Sequence, residues 1–291
     1  QESLAGRVAL LHMSPMSQRE IIGAPCVPFT TDFDRLIAES KNIAPVETPA
    51  LFERIWKGCM PGLVSGQYTD RNIYYSSYLS TYVERDVREL SGNIDALKFN
   101  RFVTAVAART SQLLNYKAIA DDADIDMPTA KAWVNILETL GIIFLLHPYS
   151  NNVLKRTIKT PKVYFYDTGL VCYLTKWSSP EVAESGAMSG ALLENFTVSE
   201  IMKSYQNAGL EPYLYFYRDR DAKEIDVIME GDGKLCPLEI KKTATPDKRL
   251  TRVFGVIDKS PLKLGTGAVL CMAEQFSAFD RDNLIVPIWM I

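Results

Sequence analysis

The stretch EIDVIMEGDGKLCPLEIKK, residues 224–242, decides the fold of the C-terminal part of this chain. Two runs of strand-forming residues flank a tight-turn sequence at 231–233, which is the pattern of a β-hairpin. Because alternate residues of a strand share a face, Glu239 and Lys241 point to the same side of the second strand. Only 13 positions separate Asp226 from Glu239, so the hairpin places these two carboxylates beside each other.

The segments around the hairpin extend it to an αβββαβ unit with one additional strand at its end. The predicted order is helix 191–206, strand 212–218, strand 224–230, strand 234–242, helix 246–258, strand 268–273 and strand 284–290. The first helix carries Glu194, which can approach the same edge of the sheet as the hairpin carboxylates.

Three carboxylates at one sheet edge predict a metal site. They would repel one another and raise one another's pKa unless a cation lay between them. Oxygen ligands of this kind suit Mg²⁺ or Mn²⁺. A divalent ion there would bind a phosphate oxygen and activate a water, while Lys241 would orient that water or neutralise the charge developing on the phosphorus. The residues predicted to catalyse this phosphodiester hydrolysis are Glu194, Asp226, Glu239 and Lys241, of which the three carboxylates are the predicted metal ligands.

Residues 95–185 have a different pattern. Apolar residues recur at helical spacing from Phe99 to Ala107, and two further helices are predicted at 116–122 and 128–140. Two strands follow, at 142–148 and 163–166. Three short helices and a hairpin are the outline of a winged helix-turn-helix. Residues 168–190, which are rich in Ser, Gly and Pro, are predicted to be a linker.

The turn of this second hairpin is the clearly basic part of the chain. It contains no acid, and together with the third helix it is predicted to contact DNA phosphates and bases. The residues concerned are Lys131, Lys155, Arg156, Lys159 and Lys162. An acidic cluster just before the third helix argues the other way, because it would repel phosphate; it consists of Asp121, Asp122, Asp124 and Asp126.

The composition restricts the class of protein. The chain has 291 residues with 47% hydrophobic and 23% charged residues, which fits two modest globular domains. It contains no apolar run long enough to span a membrane and no signal peptide, so we expect a cytoplasmic protein without a membrane partner. Its five cysteines lack CxxC spacing, which favours reduced thiols over zinc binding or disulfides. The net charge of −3 argues against a constitutively tight DNA binder.

Several strings resemble a widespread group of prokaryotic ATPases of the AAA superfamily, and the resemblance covers essentially the whole chain. They are GRVALLHMSPMSQREI, YLSTYVERDVREL, FNRFVTAVAARTSQLLN, KTPKVYFYDTGLVCYL, GALLENFTVSEI and EIDVIMEGDGKLCPLEIKK. In that group an ATPase domain precedes a C-terminal domain assigned to the PD-(D/E)xK nuclease-like superfamily. The resemblance implies that the nuclease-like motif falls on Glu194, Asp226, Glu239 and Lys241.

The sequence patterns and the resemblance together predict a domain organisation. Residues 1–24 correspond to the end of the ATPase domain, 25–94 to a helical connector, 95–185 to the winged helix-turn-helix and 186–291 to the nuclease-like domain. The expected fold class is therefore a multidomain α+β and α/β protein that ends in a restriction-endonuclease-like αβββαβ domain. No GxxxxGK[ST] motif occurs, so we expect ATP to bind only in the N-terminal domain that precedes this chain.

These patterns leave more than one function open. The first is a Mg²⁺- or Mn²⁺-dependent endonuclease coupled to the ATPase. The second is a catalytically inactive nuclease-like scaffold that serves as a DNA- or protein-binding regulatory module, since a fold does not guarantee its activity. The alternating Glu and Lys of LEIKK also fits an edge strand protected by lysines. The winged helix, in turn, also fits contact with the ATPase domain or with a second copy of the chain.

Overall fold

The computed structural model describes residues 12–83, 85, 87, 95–150, 160–219, 221 and 223–291. The α-helices in these ranges are Gln18–Ile21 (α1), Phe33–Ser40 (α2), Thr48–Lys57 (α3), Pro61–Val64 (α4), Arg71–Ser77 (α5), Ala96–Ala107 (α6), Tyr116–Ala123 (α7), Met127–Thr139 (α8), Thr168–Leu174 (α9), Pro180–Ser185 (α10) and Ser189–Asn207 (α11). A π-helix, Tyr78–Val83, continues α5, and 3₁₀ helices span Lys248–Lys259 and Ile288–Met290.

The strands are Ile143–Pro148 (β1), Lys162–Phe165 (β2), Leu214–Arg218 (β3), Glu224–Gly231 (β4), Lys234–Lys241 (β5), Lys263–Leu264 (β6), Gly267–Cys271 (β7), Ser277–Ala278 (β8) and Asn283–Pro287 (β9). They form one mixed sheet in the order β2-β1-β3-β4-β5-β7-β9-β8, with β6 beside β5. β3, β4 and β5 form an antiparallel meander, and β5, β7 and β9 run parallel. The chain is therefore a mixed α and β protein, as predicted.

The three helices predicted in the middle of the chain are present. Asp95 caps α6 by accepting hydrogen bonds from the backbone of its first turn, and Asp126 caps α8 in the same way. Their apolar faces meet through aromatic rings, because Phe99 and Phe102 both pack edge-on against Trp133. The hairpin of β1 and β2 follows, and α6, α7 and α8 rest on one core.

The sheet continues across the predicted domain boundary at 185/186. β1 pairs in parallel with β3, through His147 with Tyr215 and Pro148 with Phe216. The middle hairpin and the C-terminal meander are thus neighbours in one sheet. This pairing brings β2 to the side of the molecule on which α11 begins.

The prediction of a linker over residues 168–190 is wrong. The segment forms α9, α10 and the start of α11, and Leu170, Val171 and Cys172 are fully or almost fully buried. The Ser, Gly and Pro residues act as helix boundaries: Ser179 caps α10, and Pro180 occupies its first turn.

The N-terminal part is helical over the residues that can be described. α1 begins at a capping box formed by Ser17 and Glu20, and α2 to α5 lie within residues 25–94, the segment predicted as a connector. Residues 1–11, the first part of the segment 1–24 predicted as the end of an ATPase domain, lie outside the described ranges. None of the described helices is long and apolar enough to cross a membrane.

Candidate functional site

The β4–β5 hairpin places two of the predicted carboxylates together. Val227 pairs with Leu238, and one further step of this register sets Asp226 opposite Glu239. The backbone N–H of Ile240 donates to Asp226 Oδ2 at 2.8 Å, which fixes that carboxylate against β5. Asp226 is 7% exposed and Glu239 8% exposed, so both acids sit in a largely dry environment.

Lys241 lies against this pair, as the strand alternation predicted. Its Nζ is 2.7 Å from Glu239 Oε1 and 3.7 Å from Asp226 Oδ2. Burial disfavours the charged lysine, but the carboxylates of Asp226 and Glu239 raise its pKa above the ordinary value. The ammonium group is therefore held charged between the two acids, while its side chain stays partly open to solvent.

Glu194 enters the site from the second turn of α11. Its Oε1 accepts a hydrogen bond from the hydroxyl of Tyr164 at 2.7 Å and one from Lys162 Nζ at 3.1 Å. Both donors belong to β2, so a carboxylate of the C-terminal unit is held by a strand of the middle hairpin. The neighbouring Asn195 binds the backbone of Phe165 with both its oxygen and its nitrogen, which locks the start of α11 to β2.

Lys162 has a different position from the one that the sequence predicted. It is the first residue of β2, 3% exposed, and its Nζ lies 2.6 Å from Glu224 Oε1 as well as near Glu194. Burial opposes its charge, but Glu194, Asp226 and Glu224 together raise its pKa. Its ammonium group is thus engaged by carboxylates inside the protein, and the residue belongs to a strand and not to the basic turn to which the sequence assigned it.

Three contributors to the site were not predicted as such from the sequence: Lys162, Tyr164 and Glu224. Glu224 alternates with Asp226 along β4, so strand periodicity carried a signal for it. Lys162 and Tyr164 alternate along β2 in the same way. Nothing in their spacing linked them to α11, because the pairing of β1 with β3 that brings them there is a long-range contact.

Two acids of the site keep their protons to near neutral pH. Burial, reinforced by the charge of Asp226, raises the pKa of Glu194 to about 7, although Lys162 and Tyr164 oppose this shift. Burial and Asp226 likewise raise the pKa of Glu239 to about 7, against the effect of Lys241. The two lysines therefore compensate the carboxylates only in part, and the cluster still favours additional positive charge.

Each predicted metal ligand has one oxygen engaged by a protein donor. Asp226 uses Oδ2, Glu239 uses Oε1 and Glu194 uses Oε1. Among the described residues no donor hydrogen-bonds to the second oxygen of any of these acids. Glu239 Oε2 is buried without a hydrogen-bond partner. As placed, however, no three His, Cys, Asp or Glu side chains of the described residues are spaced to hold one metal ion. The carboxylates instead form two groups, each around a lysine: Glu194 and Glu224 contact Lys162, and Asp226 and Glu239 contact Lys241.

The predicted DNA-binding residues are only partly described. Lys131 lies on the exposed face of α8, over the ring of Tyr116, and lines a groove of about 490 Å³ with Lys117. Lys155, Arg156 and Lys159 lie outside the described residues.

The acidic cluster near this groove is largely neutralised. Asp121 pairs with Lys117, Asp122 with Arg109 and Asp124 with Lys98, and the fourth acid caps α8. The repulsion of phosphate expected from the sequence is reduced accordingly, although these exposed pairs are individually weak.

Two family models match the chain. Residues 48–181 match a domain of unknown function (DUF8612), and residues 189–291 match another domain of unknown function (DUF4143), which is often found in proteins associated with AAA ATPases. The first match ends before α11 and the second begins with it. Glu194, Asp226, Glu239 and Lys241 thus lie in the second matched segment, whereas Lys162 and Tyr164 lie in the first.

Similar proteins come from mycobacteria. Uncharacterized proteins of Mycobacterium bovis and Mycobacterium tuberculosis are each 27% identical to the chain over 289 residues. The alignment covers 98% of this chain but 58% of each relative, so the chain spans little more than half the length of the curated relatives it matches. No solved structure matches the chain.

Proposed function

We propose that this chain is the nuclease-like part of an AAA-type ATPase and that its sheet edge is a Mg²⁺- or Mn²⁺-dependent site for phosphodiester hydrolysis. The observation that carries the proposal is the buried pair of Asp226 and Glu239 with Lys241 between them. Each of these acids, like Glu194, presents one oxygen that no described residue binds. Carboxylate oxygens at a buried sheet edge are the type of ligand that a small divalent cation prefers.

The roles follow from the contacts. Asp226, Glu239 and Glu194 would hold the metal through the oxygens that the protein leaves without donors. When bound, such an ion polarises a phosphate oxygen and lowers the pKa of a water. Lys241, partly solvent-exposed and already charged, would orient that water or stabilise negative charge on the phosphorus. Ile240 restrains Asp226 through its backbone N–H, which keeps the carboxylate from turning away.

Nucleic acid is the proposed substrate class. Lys131, on α8, presents an exposed cation, and the sequence of residues 151–159, predicted to be a basic turn, adds Lys155, Arg156 and Lys159. Phosphate contacts of this kind would give sequence-independent binding that weakens with salt. Association with an N-terminal ATPase domain or with a second copy is part of the same proposal. Two observations support it: the relatives are longer than this chain, and DUF4143 is often found in proteins associated with AAA ATPases.

A second candidate function has its own supporting observation. Lys162 and Lys241 both insert among the carboxylates, and in the described residues no three metal-competent side chains are spaced around one point. A site closed by ion pairs suits a catalytically inactive scaffold that binds DNA or protein and regulates the ATPase. Both candidates share the fold and differ in whether a cation enters the site.

The deciding experiment is cleavage of supercoiled plasmid, single-stranded DNA and RNA in the presence of Mn²⁺ or Mg²⁺. We expect the wild-type protein to cleave at least one of them, and Asp226→Asn and Glu239→Gln to lose about a hundredfold or more of that rate. Glu211→Gln, an exposed acid of the same unit, is the matched control and should retain the wild-type rate. Absence of cleavage of every substrate with either ion would favour the regulatory scaffold.

A further inference from the structure

A cleft of about 370 Å³ lies between the start of α5 and the end of α9, and none of its residues belongs to the candidate site at the sheet edge. Its volume is in the range in which proteins bind small molecules. Two cations, Arg71 and Lys176, and two aromatic side chains, Tyr173 and Trp177, line it. No acid is among the described residues of the lining. The cleft therefore has the charge and the flat apolar surfaces that suit an anion with a planar ring.

Arg71 is a buried cation without an ion pair. It is 7% exposed, and its guanidinium group lies 4.2 Å from the centre of the Trp56 ring. Its hydrogen bonds go to neutral acceptors: the carbonyls of Trp56 and Gly169, and the side-chain oxygen of Asn72. No carboxylate of the described residues forms a salt bridge with it, and Asp167 acts on it only through space.

Part of this guanidinium group remains for a ligand. Arginine carries N–H donors on three nitrogens, two on each terminal one, and each nitrogen uses one donor here. One N–H of each terminal nitrogen thus has no acceptor among the described residues. Burial lowers the pKa of Arg71, although Tyr75, Cys172 and Asp167 oppose this shift. Buried charges are normally paired, because an isolated ion is costly in a medium of low dielectric.

Lys176 brings a second cation to the same cleft. It is exposed, and its Nζ lies 4.9 Å from the centre of the Tyr173 ring. It follows α9 with φ +64°, in the left-handed region where glycine is the usual residue after a helix. Glycine would suit the backbone at this position better, so what lysine adds is a charged side chain beside the cleft.

We propose that the cleft binds a mononucleotide through its phosphate group, which lies between Arg71 and Lys176. A guanidinium group can donate two parallel hydrogen bonds to phosphate, and the ammonium group supplies a second positive charge for the dianion. The base would lie against the rings of Tyr173 and Trp177, whose flat faces provide apolar contact area. Asn72, whose oxygen accepts from Arg71, can add its amide nitrogen as a further donor. This inference goes beyond the proposed function, because the cleft shares no residue with the sheet edge.

The test is isothermal titration calorimetry of the intact chain with adenosine monophosphate (AMP), inorganic phosphate and adenosine. EDTA is present throughout, so that no divalent cation can draw phosphate to the sheet edge. We expect AMP to bind roughly tenfold or more tightly than either of the other two, since it alone uses both the cations and the rings. Lys176→Met, which keeps most of the stem and removes the charge, should weaken AMP binding by on the order of tenfold, and Lys176→Arg should restore it.

A second variant and a matched control complete the experiment. Arg71→Lys keeps the charge and removes the paired donors, and it should weaken AMP binding by a similar factor. Thermal denaturation shows whether this variant folds, and if it does not, the two Lys176 variants decide. Lys234→Met, which changes an exposed lysine of the β4–β5 hairpin, should keep the wild-type affinity.

Two outcomes overturn the inference and leave metal-dependent cleavage at the sheet edge untouched. The first is AMP that binds no more tightly than inorganic phosphate or adenosine, because the cleft then does not combine the phosphate and the base. The second is wild-type affinity for AMP in Lys176→Met, because the nucleotide then binds elsewhere on the chain.

Discussion

Glu194 and Glu239 are placed where their charged forms are unfavourable. Burial, with the nearby charge of Asp226, raises the pKa of each from the ordinary glutamate value to about 7. The folded state therefore binds their protons more tightly than the unfolded state does. It follows by linkage that these acids lower the free energy of unfolding as the pH rises from about 4.5 to about 7, and that the loss persists above that range.

Replacing one of these acids with its neutral isostere is expected to stabilise the metal-free protein at alkaline pH. In EDTA at about pH 8, Glu239→Gln should raise the free energy of unfolding by roughly 1–3 kcal/mol, because it removes a buried charge that lacks full compensation. Near pH 4.5, where wild-type Glu239 is protonated, the difference should shrink to a few tenths of a kcal/mol. Urea denaturation at the two pH values measures both quantities.

Exposed Glu211 supplies the control for this prediction. Glu211→Gln should change the free energy of unfolding by less than about 0.5 kcal/mol at either pH, since a solvated surface charge contributes little. If Glu239→Gln destabilises the chain at pH 8, then Lys241 compensates the carboxylate fully and the site has no surplus negative charge to offer a cation.

At the scale of elements, the contact of α9 with the end of α3 requires glycine. A Cβ on Gly169 would lie 2.6 Å from both Gly58 Cα and Lys57 O, and would also collide with the hydroxyl of Tyr75. Gly58 itself adopts φ +85°, a conformation that L-residues rarely take. The close approach lets Asp167, which caps α9, accept hydrogen bonds from Cys59 N–H and from the Tyr75 hydroxyl.

Two helical glycines give opposite expectations for substitution by alanine. Gly169→Ala should destabilise the protein by roughly 1–3 kcal/mol, because the added methyl group forces backbone atoms apart. Gly190→Ala, in the first turn of α11 with open space around its Cβ, should be neutral or stabilising by up to about 1 kcal/mol. Thermal denaturation of the two variants checks the pair, and equal effects would contradict the packing described for α9.

Helix α11 is also tied to the N-terminal segment by a buried ion pair. Lys203 Nζ lies 2.5 Å from Glu200 Oε1 and donates to the carbonyl of Met16, while Glu200 Oε2 accepts from the backbone N–H of Gln18. Both charged side chains are buried, and removal of one partner leaves the other uncompensated in a medium of low dielectric.

Breaking this pair from one side is expected to be costly. Lys203→Met should lower the free energy of unfolding by roughly 3–5 kcal/mol, whereas Lys203→Met combined with Glu200→Gln should recover a large part of the loss. Lys117→Met, which removes the exposed ion pair with Asp121, should cost less than about 0.5 kcal/mol. A double variant no more stable than Lys203→Met would show that the lost hydrogen bonds of Lys203, and not an uncompensated charge on Glu200, account for the loss.

The sequence predicted the local elements of the site and missed the long-range ones. Alternation and a Gly-Asp-Gly turn were sufficient to place Asp226, Glu239 and Lys241 on one hairpin, because these relations are set within two adjacent strands. Lys162 was assigned to the basic turn of the second hairpin because basic residues precede it, yet it belongs to a strand whose neighbours are decided by the pairing of β1 with β3. The prediction of a linker over 168–190 was wrong for a different, local reason: Ser, Gly and Pro occur at helix ends as readily as in loops.

For the whole molecule, the two family-matched segments share a core and a sheet. One contiguous cluster of buried residues includes Phe102 of α6 as well as Leu238 of β5, and the sheet passes from the middle hairpin to the C-terminal meander without a break. The candidate site lies on this junction, since Glu194 is held by β2. Independent unfolding of the C-terminal unit would separate that acid from both of its donors.

The described part of the chain is therefore expected to unfold as one cooperative unit. Leu238→Ala, which leaves a cavity in β5, should cost about 2–5 kcal/mol and should reduce hydrogen-exchange protection in α6 by the same free energy as in β4 and β5. Leu97→Ala, at an exposed position of α6, should leave both regions unchanged within about 0.5 kcal/mol. If Leu238→Ala loosens the C-terminal meander while α6 keeps its wild-type protection, the segments are separate folding units and the candidate site must be assembled after each has folded.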